Sequence, residues 1–108
     1  MIVYLAVPYS HPDPKIREER FKLVNKKAAE LINEGYHVFS PISHSHPIAL
    51  EGDLPKSWDF WSEYDRAFLK CCEKMFVYKL PGWDVSVGVK GEIEIAEELG
   101  IEIIYLEV

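Results

Sequence analysis

Apolar runs and stretches of helical spacing alternate along this chain. Ile2-Val3-Tyr4-Leu5-Ala6-Val7 is a continuous apolar run stopped by Pro8, the pattern of a strand buried on both faces. Pro8 to Pro14 reads as a loop with three prolines. Lys15 to Glu34 follows as a helix, because Phe21, Val24, Ala28, Leu31 and Ile32 share one face at helical spacing. Gly35 suits the position just past its end. Tyr36 to Ser40 is a second short strand closed by Pro41.

Ile42 to Lys56 carries no clear periodicity and reads as a long loop, which in a small domain points to function or mobility. Ser57 is a good N-cap for a second helix reaching about Cys72, with Trp61, Tyr64, Phe68, Leu69 and Cys72 as its apolar stripe. Met75 to Leu80 is a third strand, Val89 to Leu99 a third helix stopped at Gly100, and Ile101 to Leu106 a fourth strand.

Strict β-α-β-α-β-α-β alternation predicts a parallel sheet covered by helices on both faces. Right-handed crossovers leave few arrangements, of which we favour an α/β, flavodoxin-like three-layer sandwich with four parallel strands in the order 2-1-3-4. Its ligand site falls outside the carboxyl ends of strands one and three, between the loops Pro8 to Asp13 and Pro81 to Gly91. The 108 residues make one domain, and with 48% hydrophobic residues a core is within reach.

Twelve basic against eighteen acidic residues give a net charge of −6, which argues against nucleic acid or an anionic membrane as the main partner. The adjacent Cys71 and Cys72 have no zinc or CxxC spacing and read as reduced helix residues of a cytoplasmic protein. The opening apolar run is too short for a signal peptide and lacks a basic flank. GxGxxG, GxxxxGK[ST] and GxSxG motifs are all missing, which disfavours ordinary dinucleotide, P-loop and serine-hydrolase chemistry.

The candidate chemistry gathers after the third strand. Glu92 is expected in the first turn of the third helix, where helix amides would favour its ionised, nucleophilic form; a surface glutamate is the plainer alternative. Ser86 either caps that helix or offers its hydroxyl to a phosphate or sugar, and Gly88 permits close backbone approach. Asp65 lies mid-helix near Trp61, Phe68 and Leu69, so it is exposed at the stripe edge, paired, or functional. A buried Tyr4 hydroxyl needs a partner, and a carboxylate is one candidate. His44 and His46 would share a side of an extended chain; base or phosphate contact, or plain loop polarity, suits them better than a metal, for which no third ligand stands nearby. Trp58, Trp61 and Trp83 are core or interface residues, or a stacking platform for a base, and His11 with Arg17 could meet an anion.

Three of these pieces, in order, resemble the nucleoside 2-deoxyribosyltransferase-like superfamily. They are Val3-Tyr4-Leu5-Ala6 with Pro8-Tyr9-Ser10, Asp65 in the helix before strand three, and Ser86-x-Gly88-Val89-x-x-Glu92 with Ala96. The serine makes the last piece most similar to the 2-deoxynucleoside 5-monophosphate N-glycosidases, whereas the first loop lacks their glycine- and arginine-rich phosphate segment. The resemblance implies cleavage or transfer at the N-glycosidic bond of a nucleoside or nucleotide without a cofactor or metal. Glu92 would be the nucleophile, Asp65 would protonate the departing base or orient the sugar, and Tyr4 would position Glu92. Ser86 and Gly88 would hold a phosphate or ribosyl hydroxyl, with Ser10, His11, His44, His46 and Trp61 as further substrate contacts. It also implies a homo-oligomer. The alternative on the same fold is a nucleotide-binding module without turnover.

Overall fold

A computed structural model describes residues 1–108. Its strands are β1 (Ile2–Ala6), β2 (His37–Phe39), β3 (Lys74–Tyr78) and β4 (Glu102–Leu106). Its helices are α1 (Pro14–Asn33), α2 (Pro41–Gly52), α3 (Trp58–Leu69) and α4 (Val87–Glu98), with a 3-10 turn at Trp83–Val85 before α4. The four strands form one parallel sheet in the order β2-β1-β3-β4, as expected.

Strand β1 divides the core in two. Successive side chains of a strand point to opposite faces. Val3, Leu5 and Val7 therefore pack with Val24, Ala28 and Leu31 of α1 on one face. Tyr4 and Ala6 pack with Leu69 of α3 and Val89, Ile95 and Ala96 of α4 on the other. No helix is long and apolar enough to cross a membrane.

The stretch Ile42 to Lys56 is not irregular: most of it is helix α2, so the chain runs β-α-β-α-α-β-α-β. Pro41, expected only to end a strand, also opens this helix, where its missing N–H costs nothing and its fixed φ fits. Asp53 closes it in the left-handed region, at φ 52°. The buried positions Pro41, Ser45, His46 and Ala49 do follow helical spacing, but two of them are polar. A search for apolar periodicity passes over such a stripe. Two boundaries also moved. Helix α3 ends at Leu69, which leaves Cys71 and Cys72 in the turn beyond it, one exposed and one buried. Helix α4 starts at Val87 rather than Val89, which places Glu92 in its second turn, not its first.

Candidate active site

The site begins with the inward alternation of β1. Tyr4 is fully buried on the α3–α4 face, and its hydroxyl donates to Glu92 Oε2. Glu92 projects from α4 on the stripe that includes Val89 and Ala96, and is 5% exposed. Asp65 comes from α3, one turn before the fully buried Leu69, and is 9% exposed. Of the three alternatives open to Asp65 in sequence, exposure at the stripe edge is excluded.

Burial decides the titration of this group. It holds the Glu92 carboxyl well above the usual range, the charge of Asp65 adds to the rise, and the Tyr4 hydroxyl opposes it. Burial likewise raises Asp65 from 3.8 to about 7, against the pull of Tyr4. Tyr4 itself is pushed well above 10 by burial and then by the two carboxylates, so it stays a hydrogen-bond donor. The expectation that helix amides would keep Glu92 ionised is therefore corrected: in the second turn, enclosed, it is dominated by desolvation. Two carboxyl groups in one enclosed site are expected to share a proton, one charged and one neutral.

Both acids open onto a cavity of about 260 Å³. One wall carries Asp65, Glu92, Ser86, Gly88 and the indoles of Trp58 and Trp61; Tyr9, Ser45 and His46 line it from the first loop and α2. Backbone ties fix the loops around it. The Ser10 hydroxyl donates to the Lys56 carbonyl at 2.9 Å. Arg20 donates to the Ser10 carbonyl at 3.1 Å and the Pro81 carbonyl at 3.2 Å, joining the loops that follow β1 and β3. Burial of its guanidinium lowers the Arg20 pKa, a cost those two bonds offset.

The candidates separate into two groups. Tyr4, Asp65 and Glu92 come together, and Ser86, Gly88, Ser10, His46 and Trp61 line the same cavity. Ser86 is the N-cap of α4, its hydroxyl accepting from the Val89 amide at 3.2 Å. The Trp61 indole N–H donates to the Pro55 carbonyl at 2.7 Å, which leaves its ring face for the cavity. His44 and His11 are not lining residues. On a helix, positions two apart point in different directions. His44 therefore meets the Tyr64 hydroxyl at 2.8 Å, while His46 sits between Tyr9 and Glu18 and stacks on Phe21. The His11 ring accepts from the Asp13 amide at 3.0 Å, a local turn contact. Ser45 and Glu18 were not foreseen, since neither stands in a motif or an apolar stripe. The spacing of Pro41, Ser45 and Ala49 was the one available signal for Ser45.

Fold and site together define a flavodoxin-like α/β protein with a buried tyrosine–dicarboxyl cluster at the switch point of its sheet. The chain belongs to the family described as domain of unknown function DUF1937, whose model matches residues 1–108. No curated protein matches it.

Proposed function

We propose that the protein cleaves the N-glycosidic bond of a nucleoside or nucleoside 5-monophosphate, or transfers its deoxyribosyl group, with Glu92 as nucleophile. The observation that carries this reading is the Tyr4 hydrogen bond to Glu92 inside a cavity that Asp65 also lines. The cavity is close to the lower end of the range for small-molecule sites, roughly 300–1,000 Å³, which suits one nucleoside better than a dinucleotide.

Two carboxyl groups sharing one proton match what this chemistry requires. Burial leaves the shared proton on Glu92 at rest, so the reaction requires it to pass to Asp65 when substrate binds, with the Tyr4 hydroxyl stabilising the charge left on Glu92. The Glu92 carboxylate attacks the anomeric carbon as the bond to the base nitrogen breaks. Asp65 gives its proton to the departing base. Its carboxylate then takes a proton from water, which attacks the anomeric carbon and frees Glu92. A second base in place of water makes the reaction a transfer. Ser86, Gly88 and the first turn of α4 border the sugar end, where helix amides favour an anionic or hydroxylated group.

The test is release of free base from a panel of deoxynucleosides and their 5-monophosphates, followed by chromatography. Wild type should release base, and Glu92→Ala should lower the rate by about 10²-fold or more. Tight nucleotide binding without any release would favour the binding module, and no binding at all would remove both readings.

A further inference from the structure

The cavity has a second polar wall that this reaction leaves unassigned. Ser45 projects from α2 into it, is 9% exposed, and its hydroxyl has no hydrogen-bond partner. A hydroxyl carries one donor and two acceptor positions, and leaving all of them unmade in a buried place is unfavourable. Beside it, the Tyr9 hydroxyl meets His46 Nδ1, while His46 Nε2 meets Glu18 Oε2 at 2.8 Å. An ionised Glu18 only accepts, so the Nε2 proton points at it. The other ring nitrogen, Nδ1, is held by the Tyr9 hydroxyl, so both imidazole nitrogens are engaged. The Arg17 guanidinium also faces the Tyr9 hydroxyl, so Tyr9 keeps only part of its acceptor capacity for the cavity, while Ser45 is free to donate or accept. Phe21 stacked on the imidazole at 4.3 Å holds this arrangement in place.

We propose that Tyr9 and Ser45 form a subsite that reads the polar edge of a planar heterocycle, with His46 and Glu18 as positioning residues. The ligand class is a nucleobase ring carrying a donor beside an acceptor on the edge away from the sugar. Two features of the cavity fit it. The indoles of Trp58 and Trp61 supply flat apolar surface for a ring. Ser45 on α2 and Glu92 on α4 line the same cavity, so one ligand can meet α2 with its base and Glu92 with its sugar. The choice of a nucleobase rests on the glycosyl reading above; the need of Ser45 for a partner does not.

The test is a titration of the whole protein with free adenine, hypoxanthine, cytosine and uracil, followed by amide chemical shifts. At least one base should bind wild type, and Ser45→Ala and Tyr9→Phe should each weaken it about tenfold, the scale of one lost hydrogen bond. Leu50→Ser, on the same helix but exposed and outside the cavity, should bind as wild type does. Thermal melts of the two hydroxyl variants separate lost contact from lost fold. If no base binds, or if both variants bind like wild type, the subsite is overturned. Hydroxyl-dependent base binding with no glycosidic cleavage would keep the subsite and remove the proposed reaction. Cleavage with binding indifferent to both hydroxyls would do the reverse.

Discussion

The indole of Trp58 rests directly on Gly91: a Cβ placed there would lie 2.3 Å from two of its ring atoms. This contact joins the start of α3 to the middle of α4 and fixes one wall of the cavity. Glycine inside a helix costs roughly 0.5–1 kcal/mol relative to alanine. Its presence at this position is explained by the ring, not by the helix.

Gly91→Ala should therefore separate stability from binding. The gain in helix propensity offsets part of the clash, so the melting temperature should move by no more than about 5 °C. The displaced indole should intrude on the cavity and weaken nucleotide binding by at least about tenfold, a loss near 1.4 kcal/mol. Calorimetric titration and a thermal melt check this together. Wild-type affinity in Gly91→Ala would show that Trp58 is not a wall of the working site.

Tyr4→Phe removes the hydroxyl that donates to Glu92 while keeping the buried ring. Glu92 then loses the interaction that opposes its raised pKa. The acid limb of the rate profile should shift to higher pH, and unfolding free energy should fall by about 1–3 kcal/mol for the unsatisfied buried carboxyl. A pH–rate series with a denaturant melt reads both, and an unmoved acid limb would show that Tyr4 does not govern the ionisation of Glu92.

Asp65→Asn keeps the shape of a buried side chain and takes away its proton. Base release should drop about 10²–10⁴-fold, the usual worth of a general acid. The fold should hold, because a neutral amide in this place is easier to bury than a carboxylate. Full activity with a lower melting point would mean that the residue is structural.

The same carboxyl group makes stability depend on pH. Its folded value, about 7, lies above its ordinary 3.8, and Glu92 is raised in the same direction. The folded state thus binds more protons than the unfolded chain in the interval between. The contribution of Asp65 is fully present below about pH 4, falls as pH rises through about 7 and levels off above, and Glu92 adds a loss in the same direction as pH rises through its own raised value. Asp65→Asn should flatten that slope and melt higher than wild type at pH 8. Parallel melting curves for the two proteins from pH 4 to pH 8 would contradict the raised carboxyl.

The sheet was legible because its strands are short apolar runs bounded by proline and glycine, too short for helices, with β1 and β3 buried on both faces. Glu92, Tyr4 and Asp65 could be singled out by residue type and by resemblance. Their burial and the Tyr4–Glu92 hydrogen bond could not, since that bond joins positions 88 residues apart. Helix α2 escaped notice because Ser45 and His46 occupy its inward stripe. That stripe faces a cavity instead of the hydrophobic core, so it has no apolar pattern to detect. His44 and His46 were expected on one side for the same reason: read as extended chain they align, and as helix they diverge.

What the chain alone determined is its four strands, three of its four helices and the parallel sheet they build. Local periodicity and chirality decide those. Only the tertiary structure decided which polar groups are enclosed together, and with that the titration of Glu92 and Asp65. Desolvation depends on what surrounds a group in space, and no spacing along a sequence encodes it.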